Sequence, residues 1–228
     1  MRHGESQWNR ENRLTGWTDI DLTNKGKEEA RLAAEYFMKN GFHFDKAFCS
    51  FLCRAENTLR IVLENCGQSA IEIEKSWQLN ENHYGKLQGM YRNQVGKIYG
   101  RKYADLWLKS YYCAPPPVDA DDIRNPSNDK LYRDIPQEQL PLSESYHDLS
   151  KRVIPYWENN IIPSLNKCDE VLVIAHGNSL REILKHIYHI PEKELFKRNL
   201  LPANPIVISP VPFTSSVSPA PSQDCLTP

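Results

Sequence analysis

Val171, Leu172, Val173, Ile174 and Ala175 run without a polar side chain. A stretch this short and this apolar reads as a β-strand buried on both faces. His176-Gly177-Asn178 follows and leads into Leu180, Ile183, Leu184 and Ile187, which recur at helical spacing. A buried strand that ends in a polar, glycine-containing turn and opens a helix belongs to a layered α/β domain. Such sheets gather ligands at the carboxyl ends of their strands, where the N–H groups of the next helix face an anion. That rule makes His176-Gly177-Asn178-Ser179 a candidate anion site.

The rest of the chain agrees with β/α alternation. Thr23 precedes Ala30, Ala33, Ala34, Phe37 and Met38, a helix that ends at Gly41. Lys46 to Ser50 reads as a short strand, Ala55, Leu59, Val62, Leu63 and Cys66 as the buried stripe of a helix, and Ile71 to Lys75 as another strand. One helix is predicted from about Tyr91 to Ser110, then a long irregular segment from Pro115-Pro116-Pro117 to Leu142. Val153, Ile154, Trp157 and Ile161 predict a helix in which Pro155 belongs in the first turn or at a kink, and Ile206 to Ile208 a last strand. Residues 1–208 thus form one domain. Residues 209–228 hold five Ser and five Pro with few apolar side chains, and are expected to be a disordered tail.

Composition narrows the partners. Lys and Arg number 28 against 29 Asp and Glu, so no bulk field favours nucleic acid or an anionic membrane, and any anion site must be local. The six cysteines form no CxxC pair, and no signal peptide or long apolar run is visible, which fits a cytoplasmic protein with small buried thiols. His186 and His189 lack further ligands nearby and read as a solvated helix face rather than a metal pair. The Trp and Tyr residues from Tyr99 to Tyr112 read as core and pocket packing.

At the other end stand Arg2, His3, Gly4 and Glu5. Arg supplies forked donors for a phosphate, His is a nucleophile, and Gly permits close backbone approach. Arg54 opens a helix, and Glu81 lies in the polar stretch Leu79-Asn80-Glu81-Asn82-His83-Tyr84, suited to a pocket wall. Arg2-His3-Gly4-Glu5-Ser6, Trp8-Asn9, Glu11-Asn12-Arg13, Leu79-Asn80-Glu81 with His83-Tyr84-Gly85, Pro115-Pro116-Pro117 and His176-Gly177-Asn178-Ser179 occur in that order. Together they resemble the cofactor-dependent phosphoglycerate mutases of the histidine phosphatase superfamily, from Arg2 to about Ile208.

The resemblance implies a three-layer α/β/α fold of the phosphoglycerate mutase-like type and a homodimer. It implies interconversion of 3-phosphoglycerate and 2-phosphoglycerate in glycolysis and gluconeogenesis, primed by 2,3-bisphosphoglycerate and needing no metal. Small phosphorylated three-carbon acids are then the partners, with bisphosphoglycerate synthesis as a side activity. By the same resemblance His3 carries the phosphoryl group, Glu81 is the acid and base, His176 stabilises the transferring group, and Arg2 and Arg54 flank it. Ser6, Asn9, Thr15, Gly16, Tyr84, Arg92, Lys109, Gly177 and Asn178 occupy substrate-binding positions, with Arg2, Arg54 and Glu81 among them.

Three departures from the family pattern bear on activity. Only Met1 precedes Arg2, where the family has an apolar first strand, so the fold is expected to lack that strand and to be marginal; an alternative start is one explanation. Asn82 and Leu108 stand where the family has arginine and Lys109 replaces another, which predicts weakened substrate binding. Asn199 to Pro205 replaces a Leu-Pro-Thr-Gly turn, and the tail replaces a closing segment that excludes water. Two other functions are therefore open: a catalytically weak paralogue acting as a binding protein, and a bisphosphoglycerate phosphatase.

Overall fold

The computed structural model describes residues 1–197 and 199–209. Side-chain caps set the first helices: Ser6 Oγ accepts from the Asn9 N–H at the start of α1 (Gln7–Arg10), and Thr23 Oγ1 from the Gly26 N–H at the start of α2 (Asn24–Lys39). β1 (Lys46–Cys49), α3 (Cys53–Asn65) and β2 (Glu72–Lys75) follow in the expected order. The helix predicted across Tyr91 to Ser110 is instead two, α4 (Arg92–Tyr99) and α5 (Arg101–Lys109). Gly100 between them takes φ 87°, a backbone angle that only glycine adopts without strain. The irregular stretch from Pro115 to Leu142 contains three single 3₁₀ turns, at Pro126–Asn128, Lys130–Tyr132 and Gln137–Gln139.

α6 (Tyr146–Tyr156) keeps Pro155 inside its last turn. Proline offers no N–H to the preceding turn, and the chain widens at once into a π-helical turn at Trp157–Ile161 before α7 (Ile162–Leu165). β3 (Val171–Ile174) then delivers α8 (Gly177–Tyr188), and α9 (Glu192–Leu195) follows. Ile206 to Ile208 form no strand. Pro202 and Pro205 lack N–H donors and Ala203 turns at φ 48°, so this segment offers little to a ladder beyond the Ala203 N–H, which donates to the Arg2 carbonyl at 3.0 Å. Apart from Ser209, the Ser/Pro-rich tail lies outside the described residues.

The three strands are parallel in the order β2-β1-β3, with Cys49 level with Ile174. Strand side chains alternate faces, and the packing follows that parity. Ala47, Cys49, Leu172 and Ile174 pack with Ala30, Phe37, Leu59 and Val62 of α2 and α3. Phe48, Val171 and Val173 face Leu149, Val153, Leu180 and Ile183 of α6 and α8. Helices therefore cover both faces, giving the three layers.

Beyond β3, Met1 to His3 occupies the place of a further strand but contributes only an isolated parallel bridge between Arg2 and Ala175. His3 N–H donates to the Ala175 carbonyl at 3.0 Å, the Ala175 N–H to the Met1 carbonyl at 3.2 Å, and the Met1 ammonium to the Val173 carbonyl at 2.6 Å. Burial lowers that ammonium's pKa to about 5. The aromatic run is only partly core: Tyr111 is buried, whereas Tyr103 and Tyr112 are exposed, Tyr103 stacking on Trp107.

Phe48, fully buried between β1 and α6, gives the fold its most direct test. Phe48→Ala should lower the unfolding free energy in urea by about 3–5 kcal/mol; a loss below about 1 kcal/mol would contradict the packing described.

Candidate active site

His3 and His176, from opposite ends of the described chain, meet with ring centroids 4.9 Å apart. His3 Nδ1 lies 2.6 Å from the Gly4 carbonyl oxygen, which can only accept, so Nδ1 carries the proton and Nε2 keeps its lone pair. Gly4 packs against the Gly26 backbone so closely that a Cβ would fall 2.9 Å from the Gly26 carbonyl carbon. No side chain fits there, which explains the glycine. His176 is the residue before α8; its Nε2 lies 2.7 Å from Ser50 Oγ, and its buried Nδ1 has no partner among the described residues.

Two guanidiniums flank the pair. Arg54, buried at the start of α3, donates from Nη2 to the Gly16 carbonyl at 2.7 Å and from Nη1 to the Thr18 carbonyl at 3.1 Å. Gly16 takes φ 57° in making that turn. Arg2 donates from Nη1 to the Leu200 carbonyl at 2.8 Å, while its buried Nε has no partner among the described residues. Burial first, then Arg54, then neighbouring charges, hold both His3 and His176 well below the ordinary histidine range, so both rings are neutral.

Glu81 faces them from the loop after the 3₁₀ turn at Trp77–Leu79. Its Oε1 accepts from the Asn178 N–H at 3.2 Å and from the Asn82 N–H at 2.9 Å. Asn178 Nδ2 donates to the Tyr84 hydroxyl at 2.8 Å, and its Oδ1 accepts from Tyr146 at 3.2 Å and from Arg181 Nη1 at 2.8 Å. Gly177 sits where these groups converge: a Cβ there would lie 3.5 Å from Arg181 Nη1 and 3.8 Å from both Arg2 Nε and Glu81 Oε2.

The remaining positions make contacts of their own. Thr15 is buried with Oγ1 unpartnered among the described residues, and Ser6 and Asn9 bond each other across the first turn of α1. Arg92 is exposed at the start of α4, and exposed Lys109 pairs with Asp105 at 2.6 Å on α5. Leu108 packs on the apolar cluster of Leu14, Tyr84, Leu87 and Val95, and buried Asn82 donates from Nδ2 to the Glu144 carbonyl at 3.2 Å. His186 and His189 are exposed, His186 pairing with Glu158 at 3.0 Å. Among the described residues no group of three or more His, Cys, Asp or Glu side chains is arranged to hold a metal ion. The five described cysteines are free, and no described helix is long and apolar enough to cross a membrane.

Sequence reasoning missed Arg152 and Arg181. Arg152 pairs with buried Glu144 through two contacts, 2.6 Å and 2.8 Å, and donates to the carbonyls of Gln78, Asn80 and Glu81 at 2.8, 3.0 and 2.9 Å. Helical spacing places Arg181 on the same face as Asn178, a usable clue, whereas an arginine within α6 reads as an ordinary surface residue.

Neutral buried histidines make stability depend on pH. His83, also buried, is lowered from 6.5 to about 4. Between those values the unfolded chain takes up protons that the folded chain refuses, so stability is complete above about pH 6.5 and falls as pH drops toward 4. Each such histidine contributes a slope of up to about 1.4 kcal/mol per pH unit. The urea midpoint should therefore drop from pH 7.5 to pH 5, and drop less steeply in His83→Gln; equal slopes in the two proteins would contradict the assignment.

Comparison with known proteins follows the same lines. The model of the histidine phosphatase superfamily, branch 1, matches residues 1–212. A 2,3-bisphosphoglycerate-dependent phosphoglycerate mutase of Bacteroides fragilis is 50% identical over 207 residues, spanning 91% of this chain and 84% of that protein. One from Elusimicrobium minutum is 45% identical over the same shares. Among solved structures, phosphoglycerate mutase from Bacillus anthracis superposes with a TM-score of 0.58 at 26% identity, covering 81% of this chain and 76% of that one. The alpha-ribazole phosphatase from Shigella flexneri shares the fold, with a TM-score of 0.67 at 20% identity over 89% and 85% of the two chains. The identity to these relatives, over most of both chains, shows that this chain belongs to the 2,3-bisphosphoglycerate-dependent phosphoglycerate mutase family of the histidine phosphatase superfamily.

Proposed function

We propose that the chain interconverts 3-phosphoglycerate and 2-phosphoglycerate, carrying the transferred phosphoryl group on Nε2 of His3. The observation that carries this reading is a buried, neutral His3 whose Nε2 lone pair is free, beside His176 and flanked by Arg2 and Arg54. Arg2 Nε and His176 Nδ1 are buried polar atoms without partners among the described residues, and such a pair fits an oxygen-rich anion. When bound there, 2,3-bisphosphoglycerate supplies the priming phosphoryl group.

His3 Nε2 attacks the phosphorus of a bound phosphate ester in line, and the P–N bond forms as the ester P–O bond breaks. Glu81, as the carboxylic acid, protonates the departing oxygen. In the return step Glu81, as the carboxylate, takes the proton of the accepting hydroxyl while the P–N bond breaks. Arg2 and Arg54 offset the charge spread over the phosphoryl oxygens throughout. A homodimer, a cytoplasmic setting and a place in glycolysis and gluconeogenesis belong to the same reading.

A second reading, a weakly catalytic chain that chiefly binds phosphorylated acids, draws on Leu108 packed among apolar side chains and Lys109 paired with Asp105. One assay separates the two. Full-length protein given 3-phosphoglycerate and a trace of 2,3-bisphosphoglycerate should form 2-phosphoglycerate, and His3→Ala should form none. No turnover from folded protein favours the binding reading, and inorganic phosphate from the bisphosphoglycerate alone would mark a phosphatase. Glu81→Gln keeps the acceptor for Asn178 and Asn82 but cannot move a proton, so kcat should fall about 10²- to 10⁴-fold with the fold intact. A kcat within a few-fold of the parent would remove Glu81 from the proton path.

A further inference from the structure

We propose that Ser50 is a positioning residue: its hydroxyl fixes His176 as the Nδ1–H tautomer and so aims a hydrogen-bond donor into the space beside His3. What that donor meets rests on the proposed phosphoryl transfer; the tautomer itself rests on geometry alone.

The sheet register brings the two residues together. Cys49, the last residue of β1, lies level with Ile174, the last of β3, so Ser50 and His176 leave neighbouring strand ends side by side. Both are fully buried, with Ser50 Oγ 2.7 Å from His176 Nε2. The same Oγ accepts from the Leu52 N–H at 3.2 Å, so the hydroxyl oxygen already has a donor. Its single proton has Nε2 as the acceptor within reach, and donation there requires a lone pair on Nε2. The opposite assignment would leave a buried hydroxyl proton unpaired. With Nε2 as acceptor on a neutral ring, the second proton site is Nδ1, the buried atom that has no partner among the described residues.

Tautomer choice changes the sign of what His176 offers an anion. An Nδ1–H donates to a phosphoryl oxygen, and being part of a neutral ring it does so without first gaining a proton. The other tautomer would turn a lone pair toward the same oxygens. Burial, Arg54 and His3 keep the ring neutral, so a hydrogen bond at Nε2 decides which nitrogen is the donor. Ser50 itself touches no reacting atom.

The test is nitrogen NMR on full-length protein carrying ¹⁵N-histidine, with His176→Gln identifying the His176 signals. In the parent protein, Nδ1 should show the protonated shift and Nε2 the lone-pair shift. Ser50→Ala should move both toward the average of two tautomers and lower kcat by the share of the Nδ1–H form that is lost, about two- to fivefold, with KM within about twofold. Ser50→Thr, which keeps a hydroxyl, should restore the tautomer. An Nε2–H tautomer in the parent overturns the proposal, as does an Ser50→Ala protein that retains both the Nδ1–H shift and the parent kcat. Because the shifts are read without turnover, they decide the tautomer even if no mutase activity is found, and the parent spectrum decides it even if Ser50→Ala fails to fold.

Discussion

The backbone pairing of His3 with Ala175 is the contact on which the site depends. One N–H donated to one carbonyl at 3.0 Å sets the beginning of the chain against the end of β3, and the next residue after Ala175 is His176. Glycine packing fixes the alignment further, since Gly4 and Gly26 approach too closely for any side chain. With that edge set, the β1–β3 register supplies Ser50 and the start of α8 supplies Gly177 and Asn178. The imidazoles thus inherit their positions from main-chain geometry, which is stiffer than any side-chain contact.

A second constraint holds the carboxylate. Glu81 lies in a loop whose main chain is held by Arg152, whose guanidinium spans Glu144 on one side and the carbonyls of Trp77, Gln78, Asn80 and Glu81 on the other. A buried ion pair of this kind adds little net stability, because desolvation offsets most of its attraction. Its value is geometric: five donors in one plane determine where the loop carbonyls sit. Removing either partner would leave a buried charge uncompensated, which costs about 3–5 kcal/mol.

Much of this was legible in the residues. The apolar run at Val171 and the helical stripes of α2, α3 and α8 gave the layers correctly, because periodicity reports burial directly. Ordered motifs around His3, Glu81 and His176 pointed to a shared site, and the structure brings those side chains into one cluster. Gly100 was overlooked as a helix break because a lone glycine within helical spacing is often tolerated. Ile206 to Ile208 read as a strand from side chains alone, whereas the prolines before them decided the backbone. Arg152 and Ser50 were invisible for a different reason: their partners are distant in sequence, and only the folded register brings them into range. Lys109 shows the converse, since a motif position fixes a residue's place in the chain but not the ion pair it forms with Asp105.

The most direct measurement is the chemical fate of His3. Full-length protein incubated with 2,3-bisphosphoglycerate and quenched in alkali, where phosphohistidine survives and acyl phosphate does not, should carry one phosphoryl group, localised by mass spectrometry to His3. Ring-nitrogen shifts of the trapped species should assign the bond to Nε2, the nitrogen that the Gly4 contact leaves free in the folded chain. A folded protein that binds the compound yet acquires no phosphoryl group, or acquires it on another residue, would contradict the account.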